Sequence, residues 1–73
     1  MYELNFYDEQ TEEFVADFLL INVKAEDVIE VFGFPLQGNC TDVTETQLRR
    51  ISLKEGRSFH LEGCTVSICE VEG

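Results

Sequence analysis

Tyr2, Leu4 and Phe6 alternate with Glu3, Asn5 and Tyr7. A period of two marks a β-strand with one face turned inward. The polar run Asp8-Glu9-Gln10-Thr11 interrupts it. Alternation then resumes, with Phe14, Ala16, Phe18 and Leu20 set against Glu13, Val15, Asp17 and Leu19. This pattern predicts an antiparallel hairpin with strands at about residues 2–8 and 12–20. Its inner face is aromatic; its outer face shows Glu3, Glu13 and Asp17 beside Tyr7, Val15 and Leu19.

After residue 21 the period changes. Ala25, Val28, Ile29 and Phe32 are spaced by three and four, which predicts a helix with Asn22 as its cap. Glu26 and Asp27 fall in its first turns, where the helix dipole favours negative charge. Gly33 suits the left-handed position that ends a helix, Phe34 can fold back onto it, and Pro35 forbids continuation. Residues 34–43 show no clear period and read as a loop. Thr44-Glu45-Thr46-Gln47 matches a capping box. A second helix at about 45–53 follows, with Leu48 and Ile51 inward and Gly56 as its stop. In the last segment Phe59 and Leu61 alternate with His60 and Glu62, and Val66 and Ile68 with Ser67 and Cys69. Glu62-Gly63 breaks the phase as a turn or bulge does, so residues 58–71 read either as two strands or as one bent strand. The order is ββααβ or ββααββ: an α+β fold, a single domain over 1–73, with a small antiparallel sheet of three to four strands and two helices on one face.

Charge sharpens this picture. The 73 residues carry a formal net charge of -10, more than the roughly 2–8 that solubility asks of a small domain. Residues 1–48 account for -10, residues 49–57 for +3 through Arg49, Arg50, Lys54 and Arg57 against Glu55, and residues 58–73 for -3. Such a surface repels nucleic acid and anionic lipid and attracts basic protein. Six Phe and two Tyr provide a core and argue against disorder, since acidic disordered chains are poor in aromatics. A domain this small gains from burying more surface, so both a monomer and a homodimer are consistent with it.

Other chemistries find little support. Met1 to Ile21 has no basic n-region, and the longest apolar run, Phe18-Leu19-Leu20-Ile21, is far short of a membrane span. No membrane partner is expected, and three cysteines read as reduced thiols of a cytosolic protein. Without secretion, the sequon-like Asn39-Cys40-Thr41 carries no meaning. His60 has no Ser or Asp partner in a recognisable catalytic pattern, so no enzyme is expected. Cys40, Cys64, Cys69 and His60 lack paired metal-ligand spacing; Cys64 and Cys69, five apart on strand-like sequence, point to opposite faces. Asp8, Glu9, Glu12 and Glu13 lack the spacing and glycine of a calcium loop. No metal and no cofactor are expected. Arg49, Arg50, Lys54 and Arg57 read as neutralising nearby acids and the helix end. Direct nucleic-acid binding is disfavoured, because the other acids oppose a duplex.

What remains is the acidic surface. Glu3, Tyr7, Asp8, Glu9, Glu12, Glu13, Asp17, Glu26, Asp27 and Glu30 are the candidate partner-binding residues. Carboxylates at strand and helix spacings imitate the charge density of a phosphate backbone, and steering speeds their capture by a basic groove. Exposed Tyr7, Val15 and Leu19 supply an apolar anchor.

Tyr7-Asp8-Glu9-Gln10-Thr11-Glu12-Glu13-Phe14-Val15, followed by an acidic helix closing on Val31-Phe32-Gly33-Phe34-Pro35, resembles a loose group of short acidic bacterial proteins that look like immunity proteins accompanying toxins. The resemblance spans roughly residues 2–50, with a weaker echo at Ser67-Ile68-Cys69-Glu70. In size and charge the chain is also similar to phage-encoded anti-CRISPR proteins, some of which mimic DNA. These resemblances imply a stoichiometric inhibitor in the bacterial host cytosol that covers the DNA groove of a basic complex, a type I CRISPR surveillance complex first among them. The alternative is an immunity protein neutralising a basic nuclease toxin. A third expectation, a small enzyme or metal protein centred on His60 and the cysteines, is open to direct metal analysis.

Overall fold

Alternation at the start of the chain builds two seven-residue strands, β1 (Tyr2–Asp8) and β2 (Phe14–Leu20). The computed structural model describes residues 1–59 and 62–72, and continues with α1 (Ala25–Phe32), β3 (Cys40–Val43), α2 (Glu45–Glu55) and β4 (Cys64–Glu70). The strands form one antiparallel sheet in the order β2-β1-β4-β3. The α+β class, the antiparallel sheet and the two helices are as the sequence predicts. The order is ββαβαβ, because β3 lies between the helices in residues that read as loop. Four residues are too few for a visible period; β3 exists because β4 offers it a ladder, Cys40 to Cys69 through Val43 to Val66.

β4 is one strand, preceded by a turn at Glu62-Gly63 in which Gly63 has φ 72°. The choice between two strands and one bent strand across residues 58–71 turns on residues 60 and 61, which lie outside the described residues. Phe59 lies outside any strand. The expectations attached to His60 and Leu61 lie outside the described residues.

One face of the sheet is the core. Tyr2, Leu4, Phe6, Leu20, Val43, Val66 and Ile68 are buried with Val28 and Val31 of α1 and Leu48 and Ile51 of α2. Burying a large apolar side chain fully contributes about 1.5–3 kcal/mol. α1 turns Val28 and Val31 inward and leaves Ile29 46% exposed, so its buried stripe is rotated from the predicted one. Leu36, and not the exposed Phe34, closes the core after α1.

Local signals end the helices as expected. Gly33 and Gly56 take left-handed φ of 86° and 78°, which glycine adopts without a Cβ penalty. Thr44 and Gln47 form the capping box, with the Gln47 N–H donating to Thr44 Oγ1 and the Thr44 N–H to Gln47 Oε1. The start of α1 differs. Lys24 is the cap residue, and its N–H donates to Asp27 Oδ2 at 2.9 Å. Asn22 instead donates from Nδ2 to the Glu55 carbonyl at 2.9 Å, while the buried Glu55 carboxylate accepts from the Ile21 and Asn22 N–H groups at 3.1 and 2.7 Å. Asn22 thus ties the end of β2 to the end of α2.

A bulge in β2 changes its face pattern. The register runs Tyr2 to Leu20, Leu4 to Phe18 and Phe6 to Ala16, then slips so that Tyr7 faces Phe14. Phe14, predicted inward, therefore sits on the outer face at 57% exposure. Val15, predicted outward, lines a groove with Phe6, Ala16 and Phe18 on the helix side. An extra residue in one strand does this by opposing two residues to one. Among the described residues no helix is long and apolar enough to cross a membrane.

Candidate functional site: the open face of the sheet

The helices cover one face of the sheet; the other is open. Strand pairing fixes its side chains in cross-strand rows. Leu19, Glu3, Cys69 and Cys40 make the first row, Asp17, Asn5, Ser67 and Asp42 the second, and Phe14, Tyr7 and Thr65 the third. The Phe14 and Tyr7 rings meet near edge-on, centroids 5.9 Å apart, a favoured aromatic geometry. Phe14 and Leu19 are exposed at the β2 edge, and Asn5 is buried at the centre, donating from Nδ2 to Cys69 Sγ at 3.4 Å.

Cys40 and Cys69 are joined by a disulfide that ties β3 to β4 within this face. The expectation of three free thiols is corrected: only Cys64 is free. An odd number of cysteines suggests free thiols, and the loop reading of residues 34–43 hides the pairing. Once β3 pairs with β4, Cys40 stands directly opposite Cys69. Cys64 and Cys69 do point to opposite faces, with Cys64 packed against the core.

The charge is divided by layer. None of the four strands contains Lys or Arg. The open face carries Glu3, Asp17 and Asp42. The β1–β2 turn at its end adds Asp8, Glu9, Glu12 and Glu13, and Glu62 lies beside that turn, where the Glu9 N–H donates to the Gly63 carbonyl. Asp8 also shapes the turn. Its Oδ1 accepts from the Gln10 and Thr11 N–H groups at 2.9 and 3.0 Å, and those bonds, Thr11 first, hold its carboxyl below the usual Asp range. Glu12 completes the turn at φ 62°.

The helix layer is different. Asp27 and Glu30 of α1 meet Lys54 of α2 at 3.4 and 2.7 Å, and Glu30 meets Arg50 at 3.8 Å. The Lys24 N–H bond, then Lys54, holds the Asp27 carboxyl below its ordinary value. The hydrogen bond from Lys54 lowers Glu30 and in turn raises Lys54. Arg49 pairs with Glu45 at 3.3 Å. Thus Arg49, Arg50 and Lys54 neutralise nearby acids, as the sequence suggests. Arg57 pairs with no acid among the described residues; its guanidinium lies over the Phe18 ring.

The predicted partner-binding residues consequently fall into two groups. Glu3, Tyr7, Asp17 and the turn acids Asp8, Glu9, Glu12 and Glu13 come together on the open face and its end. Glu26, Asp27 and Glu30 sit on α1 in the opposite layer, and Asp27 and Glu30 are ion-paired there. Asp42 and Phe14 belong to the open face and escape sequence reasoning, Asp42 because β3 is hidden and Phe14 because of the bulge. Among the described residues no group of three or more His, Cys, Asp or Glu is placed to hold a metal.

No curated protein and no solved structure matches the chain. The family described as a domain of unknown function, DUF7683, matches residues 1–68. With nearly its whole length inside that match, the chain belongs to the DUF7683 family.

Proposed function

We propose that this protein is a non-catalytic, stoichiometric inhibitor that presents the open face of its sheet to a basic, nucleic-acid-binding partner. The observation that carries the reading is the division of charge: every Lys and Arg lies before, in or after the helices, and the strands carry acids alone. A one-signed face speeds capture of a cationic groove and rejects nucleic acid and anionic surfaces. Phe14, Tyr7 and Leu19, set among Glu3, Asp17 and the turn acids, supply the desolvated centre that concentrates binding energy in protein interfaces. As an anti-CRISPR protein it would occupy the DNA groove of a type I surveillance complex. The test is a gel shift of target DNA by that complex at rising inhibitor concentration. Stoichiometric loss of the shift supports the reading, and an undiminished shift at saturating inhibitor rejects this target.

The aromatic centre favours a second reading, an immunity protein bound to a basic nuclease toxin. A decoy for a phosphate backbone needs charge above all, whereas rings at the middle of a patch suit a folded protein partner. Nuclease activity titrated with the protein separates the two. Either role belongs to the bacterial cytosol, where thiols are kept reduced. The proposal therefore requires the face to persist without the Cys40–Cys69 bond, held by the β3–β4 ladder. A Cys40→Ser, Cys69→Ser variant that folds but no longer binds contradicts that location.

A further inference from the structure

We propose that the groove beneath Arg57 is a binding site for a small apolar carboxylate, separate from the open face. The groove has a volume of about 250 Å³ and lies on the helix side of β2. The bulge turns Val15 into its wall beside Ala16 and Phe18, and Phe6, Phe59 and Cys64 complete the apolar lining. At the ~30 Å³ that a water-sized group occupies in a liquid, there is room for roughly eight such groups.

Arg57 gives the groove its selectivity. Its guanidinium lies 4.9 Å from the centroid of Phe18 and 5.4 Å from that of Phe59, so the two rings hold it at the groove. Among the described residues it makes no ion pair, although Arg49, Arg50 and Lys54 all do. A guanidinium left without a carboxylate, in a chain with three acids for every base, is a donor fork to which a ligand carboxylate can bind bidentately. The ligand class follows from both parts: an aliphatic or aryl tail of up to about eight carbons in the groove, and a carboxylate on Arg57. The net charge of -10 opposes any anion at long range, so the ligand carries a single charge and the site favours its apolar part.

The experiment is an amide NMR titration of the full chain with octanoate, with octanamide as its neutral counterpart. Octanoate is expected to saturate with a dissociation constant on the order of 1 mM, in keeping with its few atoms. The shifts are expected at Val15, Ala16, Phe18, Arg57, Phe59 and Cys64. Octanamide, and octanoate with Arg57→Gln, are expected to bind roughly threefold to fivefold more weakly, the value of an exposed charge pair. Ala16→Leu, which fills the groove, is expected to abolish the shifts while the spectrum stays dispersed. The proposal is overturned if no saturable shift is seen with octanoate. Equal affinity for acid and amide, or shifts centred on Tyr7 and Phe14, overturns it as well.

Discussion

The two faces of the sheet share one backbone and differ in everything else. Inward, Leu4, Phe6, Val66 and Ile68 meet α1 and α2 in a closed apolar core. Outward, the same strands show Glu3, Asp17 and Asp42 around Tyr7 and Phe14, with no base among them. The helix layer also holds acids, but Lys54, Arg50 and Arg49 stand against Asp27, Glu30 and Glu45. Ion pairs near the surface are screened and add little to stability, so these pairs matter less for stability than for cancelling the field on that side. The net charge states how much acid the protein has; the layering states where it acts.

The largest effects belong to the closed face. Ile68→Ala is expected to lower stability by about 2–5 kcal/mol, while Ser67→Ala, its neighbour on the open face, stays within about 0.5 kcal/mol. Urea unfolding measures both, and equal losses contradict the assignment of faces. Reducing the Cys40–Cys69 bond, which spans 29 residues, is expected to remove about 2–4 kcal/mol. It is read as a drop in urea midpoint with dithiothreitol that the Cys40→Ser, Cys69→Ser variant no longer shows. An unchanged midpoint for the wild type means that the ladder alone holds β3.

Charge substitutions compare the layers directly. Asp17→Lys and Glu3→Lys on the open face are expected to slow association with a basic partner by roughly tenfold at low salt, with stability almost unchanged. Glu26→Lys on α1 is expected to have a much smaller effect. Stopped-flow association rates at two ionic strengths test this, and equal slowing by all three rejects the division by layer.

The smallest effect is the pH response of the helix-layer cluster. Asp27 and Glu30 have carboxyls held low, so their contribution is complete at neutral pH and is lost as pH falls through the lowered values. Lys54 is held high, so its contribution is present below the ordinary lysine value and is lost as pH rises through the raised one. Lys54→Met is expected to flatten both limbs of a plot of urea midpoint against pH. If both limbs keep their slope in the variant, other groups carry the response.

The elements legible in the sequence are those with local causes. The hairpin follows from alternation at Tyr2, Leu4 and Phe6, the end of α1 from Gly33 and Pro35, and the start of α2 from the Thr44–Gln47 box. What escapes has a distant cause. β3 is four residues whose strand character comes from β4, and the disulfide follows from that pairing. Phe14 changes face because β1 imposes a register on β2 that alternation alone cannot reveal. Asn22 looks like a cap until Glu55, 33 residues away, engages it. The acidic candidates on β1 and its turn are legible because strand parity is local. The separation of Glu26, Asp27 and Glu30 from them depends on which face the helices cover.

The most direct measurement is an amide NMR titration with decalysine, a flexible polycation without shape preference. The largest shifts are expected at Glu3, Asp17, Asp42 and residues 8–13, with little change along α1, and they are expected to fade as salt is raised. Shifts of equal size on α1, or centred at Glu26 and Glu30, would contradict the segregation of charge on which the proposed function stands.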